Sequence, residues 1–140
     1  MTKRKGGDRP RLRTFVLDSE ALSLAVRGDR MMMARLDLAA QGKADAVTSP
    51  LTLVEAYDAR TTEHRWDWVL SRIGVADVGK EEARQARRLL ADVGLHGHTY
   101  AIDAVLAVVA LRQRGEVTVF TSDVDDLEKL LPDRITVRQV

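Results

Sequence analysis

Cysteine is missing from all 140 residues, which excludes disulfides, thiol nucleophiles and thiolate zinc sites together and fits a reducing compartment. Aromatic residues are scarce, two each of Phe, Tyr and Trp, so a buried core has to be built from Val, Leu, Ile and Ala. No apolar run approaches a bilayer span; the longest, Ala104–Leu111, stops far short of one. The basic N-terminus leads into no apolar h-region, so a secretory signal is not expected. Together these absences describe a soluble, cytoplasmic chain with no membrane partner. Walker loops and the GxGxxG and GxSxG patterns are also absent, which leaves nucleotide-cofactor and serine-esterase readings without support. His64, His96 and His98 lack the spacing of a zinc site.

What is present suits one globular domain with a real core: 45% hydrophobic and 31% charged residues. The formal net charge of +1 hides an asymmetry. Lys3, Arg4, Lys5, Arg9, Arg11 and Arg13 crowd ahead of the first apolar run against Asp8 alone. Residues 1–13 read as a disordered basic extension, either a solvating tail or an arm that meets phosphates by counterion release. Residues 14–140 read as the domain.

Short apolar runs at Thr14–Leu17, Ala46–Thr48 and Val117–Phe120, an extended piece at Gly74–Val78 and an alternating Ile135–Val140 predict about five strands. Helical patterns fall between them. They cover Leu22–Val26, Met31–Gln41, Leu51–Arg60 after the Ser49-Pro50 start, His64–Leu70 and Lys80–Val93. A further helix, Tyr100–Arg112, is capped by Thr99, and a last one around Leu127–Leu131 is stopped by Pro132. Trp66 and Trp68 point to roughly opposite sides of their helix, and one of them reads as an interface anchor. Strands and helices alternate throughout, which predicts the α/β class: three layers, α/β/α, around a central parallel sheet.

Four acids are oddly placed in this scheme. Asp18 and Asp123 follow buried strands, where open α/β proteins keep their chemistry. Asp123, followed by Asp126, also has a plainer explanation as the N-cap of the next helix. Asp103 interrupts an otherwise apolar run from Ala101 to Leu111, putting a carboxylate in the first turn of a buried helix. Glu55 lies one turn after Leu51, beside a stripe of Leu51, Val54 and Tyr57. Strand ends and helix starts share one edge of a right-handed parallel sheet, so a single pocket can collect Asp18, Glu55, Asp103 and Asp123. Carboxylates that close repel and resist ionisation. A hard divalent cation relieves them, and all-oxygen ligation selects Mg²⁺ or Mn²⁺. Such a site can activate water against a phosphodiester.

These stretches carry a resemblance. FVLDSEAL around Asp18, TSPLTLVEAY around Glu55, AIDAVLAVVAL around Asp103 and VFTSDVDDL around Asp123 stand in the order found in PIN-domain ribonucleases of the VapC toxin type. The resemblance covers nearly Thr14 to Val140. It implies a five-stranded parallel sheet, a Mg²⁺- or Mn²⁺-dependent endoribonuclease, homodimerisation, and inhibition by a cognate antitoxin whose C-terminal segment enters the site. On this resemblance Asp18, Glu55, Asp103 and Asp123 occupy the family's acidic positions, and Asp126 matches an additional acid. Glu20 departs from the pattern, where a second Ser or Thr is common, and so does the basic extension. Two other classes compete: a non-catalytic PIN-like RNA- or protein-binding module, and a phosphoacceptor receiver domain. The receiver expects paired acids after the first strand and a lysine after the last, which Asp18-Ser19-Glu20 and Ile135–Val140 fit poorly.

Overall fold

The computed structural model describes residues 12–140; the basic extension, as far as Arg11, lies outside the described residues. The elements run β1 (Arg13–Leu17), α1 (Ser19–Val26), α2 (Arg30–Ala40), β2 (Asp45–Thr48), α3 (Pro50–Glu55) and α4 (Glu63–Leu70). They continue through β3 (Gly74–Val75), α5 (Lys80–Val93), α6 (Gly97–Leu111), β4 (Glu116–Thr121), α7 (Val124–Leu130) and β5 (Thr136–Gln139). Five strands form one sheet in the order β3-β2-β1-β4-β5, every pairing parallel.

Side chains alternate across a strand, so each strand feeds two cores. Val16, Val117 and Val119 face a core completed by α5, α6 and α7. Phe15, Leu17 and Phe120 face the other, completed by α1, α2 and α4. Helices therefore cover both faces, and the expected three-layer α/β/α arrangement is realised. Burial of Leu17, Leu22 and Leu106, all essentially solvent-free, stabilises the fold by roughly 1.5–3 kcal/mol apiece.

Two details of the topology position the site. The chain winds outward from β1 to β2 and β3, then returns to place β4 on the other flank of β1. Strand order reverses between β1 and β4, and the crevice beyond their C-terminal ends is where ligands bind in open sheets. At the opposite end, Gly115 adopts φ +75°, and a Cβ there would lie 2.4 Å from the Leu12 carbonyl oxygen. Only glycine allows this approach, and the Glu116 amide donates to the same oxygen at 2.8 Å.

Several local expectations are corrected. α6 starts at Gly97 behind His96, not behind Thr99. The chain turns by 117° between α5 and α6, and Gly94, at φ +71°, ends α5 so sharply that the next helix begins at once. Asp103 is consequently well inside α6, beyond the first turn and most of its dipole benefit. α3 ends at Glu55 instead of continuing to Arg60. Its phase is also different: Thr52 and Ala56 face inward while Leu51, Val54 and Tyr57 face solvent. The cap sets that phase, because the Ser49 hydroxyl receives the Thr52 amide at 3.0 Å and pairs with the Thr52 hydroxyl at 2.8 Å. Trp66 is buried, its indole donating to the Thr61 hydroxyl at 2.9 Å. Trp68 is half-buried under the Arg72 guanidinium, 4.0 Å from the ring centroid. Among the described residues no single helix is long and apolar enough to cross a membrane.

Candidate active site

Asp18 leaves β1 in an extended conformation and caps α1. One carboxylate oxygen accepts from the Ala21 amide at 2.9 Å, and the other from the Ser122 amide at 3.0 Å. The Asp18 amide donates to the Phe120 carbonyl at 3.1 Å. The residue thus joins the ends of β1 and β4 across the switch point, and it is buried. Its neighbourhood is built from hydroxyls. Thr48 donates to the Leu17 carbonyl at 2.7 Å, and Thr121 accepts from the Asp123 amide at 2.8 Å.

Asp123 occupies the N-cap position of α7, yet its carboxylate makes no capping bond. The plain N-cap explanation therefore does not account for it. Its carboxyl is pushed up from the ordinary range, first by partial desolvation, then by the charges of Asp18 and Asp126. Asp103, half-buried on α6, is perturbed most. Desolvation, followed by the charges of Asp123, Asp126, Glu55 and Asp18, raises its carboxyl to about 7. One group that feels all four others reports a shared electrostatic neighbourhood. Glu55, the exposed last residue of α3, reaches it because α3 packs against both α1 and α6. Asp126 is half-exposed and stands 4.0 Å from Lys129 one turn on, a pairing worth little at the surface.

Among the described residues no cation pairs with Asp18, Glu55, Asp103 or Asp123. The nearby guanidiniums are engaged elsewhere, Arg27 with Glu20 at 3.8 Å and Arg60 with Asp58 at 2.8 Å. Nor do any three acidic or histidine side chains among the described residues meet at one ligating point. The acids share a field without converging, as like charges with nothing between them do.

A cleft of about 840 Å³ opens beside them, lined in part by Ser19, Ser23, Arg27, Glu55, Arg60 and Ser122. Ser122 also lines an adjoining cavity of about 280 Å³ with Asp123, Asp126 and Gln139. Asp18 and Asp103 line neither. Ser122 was missed from sequence, although the Thr121-Ser122-Asp123 sequence at a strand end is a signal for an amide turned toward a neighbouring acid.

No protein-family model matches the sequence, and comparison with curated proteins gives no match either. Solved structures do match. A chain of VapBC2 from Rickettsia felis, crystallised with a DNA fragment of its promoter, superposes with a TM-score of 0.65 at 14% identity, over 91% of this chain and 98% of that one. A chain of DNA-bound VapBC from Salmonella typhimurium gives 0.62 at 16% identity, over 91% and 98%. The fold of this chain is that of the matched chain in each of these VapBC structures, and it has the five-stranded parallel sheet that the resemblance implies.

Proposed function

We propose that this chain is a metal-dependent endoribonuclease acting as the toxin of a toxin–antitoxin pair. The observation that carries the reading is Asp103, half-buried and opposed by four other carboxylates, with no cation among the described residues within ion-pair distance of Asp103 itself. A hard, all-oxygen donor set of this kind fits Mg²⁺ or Mn²⁺. Asp18, Asp103 and Asp123 would hold the ion, with Glu55 ligating directly or through water. Bound there, the ion would acidify a water and offset charge on the phosphodiester.

The protein side of the chemistry divides by rigidity. Asp18 is fixed by two amides. Glu55 and Asp123 are exposed and carry no side-chain bond among the described residues, so they are free to turn toward a ligand. Ser19 and Ser23 line the cleft, where hydroxyls can donate to phosphate oxygens and fix the register of an RNA chain. At the border of the cleft, which Tyr57 also lines, Leu51, Val54 and Tyr57 are 41%, 73% and 75% exposed, an apolar surface suited to a protein partner. The cognate antitoxin, with a second copy of the chain, makes up the partner set of this reading.

A non-catalytic RNA- or protein-binding module is the second reading, and it is favoured by the failure of any three acids among the described residues to converge. One experiment separates the two. RNA digestion by wild type and Asp103→Asn is followed in Mg²⁺, in Mn²⁺ and in chelator, beside a calorimetric metal titration. Cleavage that needs metal and disappears in the variant supports the nuclease. Full activity in chelator, or no metal uptake by wild type, sinks it.

A further inference from the structure

The strongest feature left unexplained lies on the α2 side of β1, β4 and β5. A groove of about 390 Å³ is bordered by Arg13, Arg30, Arg35 and Arg138 over a floor that includes Phe15 and Phe120. The two rings meet edge to face, centroids 5.6 Å apart at 72°. The Arg35 guanidinium lies over Phe120 at 4.2 Å, and that of Arg13 over Phe15 at 5.4 Å. Arg13 shares Glu116 at 4.0 Å, but no carboxylate among the described residues lies within ion-pair distance of Arg30, Arg35 or Arg138. Asp29, the nearest opposing charge on Arg35, already caps α2 through the Met32 amide at 3.0 Å. Burial and the charge of Arg138 both push the Arg35 guanidinium below its ordinary value. Four cations in one groove, only Arg13 among them having a carboxylate within ion-pair distance among the described residues, raise the local potential and call for an anion.

We infer that this groove binds the phosphodiester backbone of single-stranded RNA, as an extension of the track that crosses the acidic edge. The inference rests on the nuclease reading in taking RNA as the polymer. Guanidiniums placed over aromatic rings leave N–H groups to donate to phosphates and can also stack on bases. The groove also adjoins the acidic cleft. Phe120 precedes Asp123 by only two intervening residues, and Arg138 is followed by Gln139, which lines the Asp123–Asp126 cavity. Consecutive strand residues are about 3.3 Å apart, so a few nucleotides reach from one to the other. Five more cations, Lys3, Arg4, Lys5, Arg9 and Arg11, precede Arg13 in the sequence. Their charge makes that segment an unsuitable occupant of the groove and a suitable companion to the same polyanion.

The test uses the full chain in chelator, with a fluorescein-labelled single-stranded RNA 12-mer read by anisotropy across a salt series. Wild type binds with a steep salt dependence. The triple variant Arg30→Gln/Arg35→Gln/Arg138→Gln loses roughly ten- to a hundredfold in affinity, and its log–log salt slope falls by about two, near 0.7 per lost phosphate contact. Arg30→Gln/Arg138→Gln, which leaves Arg35 over Phe120, serves if the triple variant misfolds, and its slope falls by about 1.4. Unchanged affinity and slope overturn the inference, as does a polyglutamate peptide that binds wild type more tightly than the RNA. Wild type that binds RNA through these arginines but cuts nothing in Mg²⁺ or Mn²⁺ leaves the groove standing and removes the nuclease. Cleavage and binding that survive the loss of the arginines do the reverse.

Discussion

Strands β1 and β4 border two charged regions that meet the cost of unpaired charge in different ways. Beyond their C-terminal ends, Asp18, Asp103 and Asp123 share one electrostatic neighbourhood with Glu55 and Asp126, and Asp103 answers by resisting ionisation up to about 7. Alongside the same strands, Arg35 and Arg13 lie over the rings of Phe120 and Phe15. An aromatic face attracts a cation at about 0.5–2 kcal/mol and offers nothing to a carboxylate. The basic groove is therefore partly relieved by the fold itself, whereas at the acidic edge the fold answers Asp18 with two amides and Asp126 with Lys129, and among the described residues gives Asp103 and Asp123 no cation. The lesson is that an uncompensated cluster carries functional information when the surrounding structure leaves its charge unanswered.

The sharpest way to break this contrast is through activity. Asp103→Asn should lower metal-dependent RNA cleavage by about a thousandfold, the scale of losing one charge-stabilising group, while the circular dichroism spectrum stays native. Retained cleavage would remove the acidic edge from the chemistry. Next in size, Asp18→Ala should cost about 2 kcal/mol in urea denaturation. It removes a helix cap and leaves the Ser122 amide without its acceptor.

Asp103→Asn should move stability the other way, and only at some pH values. Below about pH 4 the carboxyl is protonated in folded and unfolded chains alike and contributes nothing. As pH rises the unfolded chain ionises first, so the native state loses stability until about pH 7 and regains none above it. Solvent screens a half-exposed group, so the variant should exceed wild type at pH 8 by about 1 kcal/mol, roughly 3 °C in Tm, and match it at pH 4. Saturating Mg²⁺ should close the gap at pH 8 by stabilising wild type alone. A difference that ignores pH would mean the acids are not crowded. Glu55→Gln sets the lower bound: the same sign at pH 8 but within about 0.5 kcal/mol, because Glu55 is exposed.

Alternating strand and helix patterns were enough to read the order of all twelve elements, because strands buried on both faces, such as Thr14–Leu17 and Val117–Phe120, read as short, nearly continuous apolar runs. Asp18 and Asp123 could be found as acids placed straight after such runs. Asp103 could be found because nothing else polar interrupts Ala101–Leu111. Less legible was whatever depends on a neighbour distant in sequence. The phase of α3 is set by the Ser49–Thr52 hydroxyl pair and not by its apolar stripe, so Leu51, Val54 and Tyr57 face outward. The start of α6 is set by a sharp reversal at Gly94. The arginine groove draws on α2, β1 and β5 together, and no local pattern marks it.

The tight junction at Gly115 has a practical side. Because the Leu12 carbonyl is held there against the beginning of β4, Leu12 itself is fixed at the end of the sheet away from Asp18 and Asp123. A five-residue strand spans about 17 Å. A fluorophore on Leu12→Cys, at an exposed position in a sequence with no other cysteine, would therefore sit on the far rim, so labelled protein can be prepared with the carboxylate cavity left open.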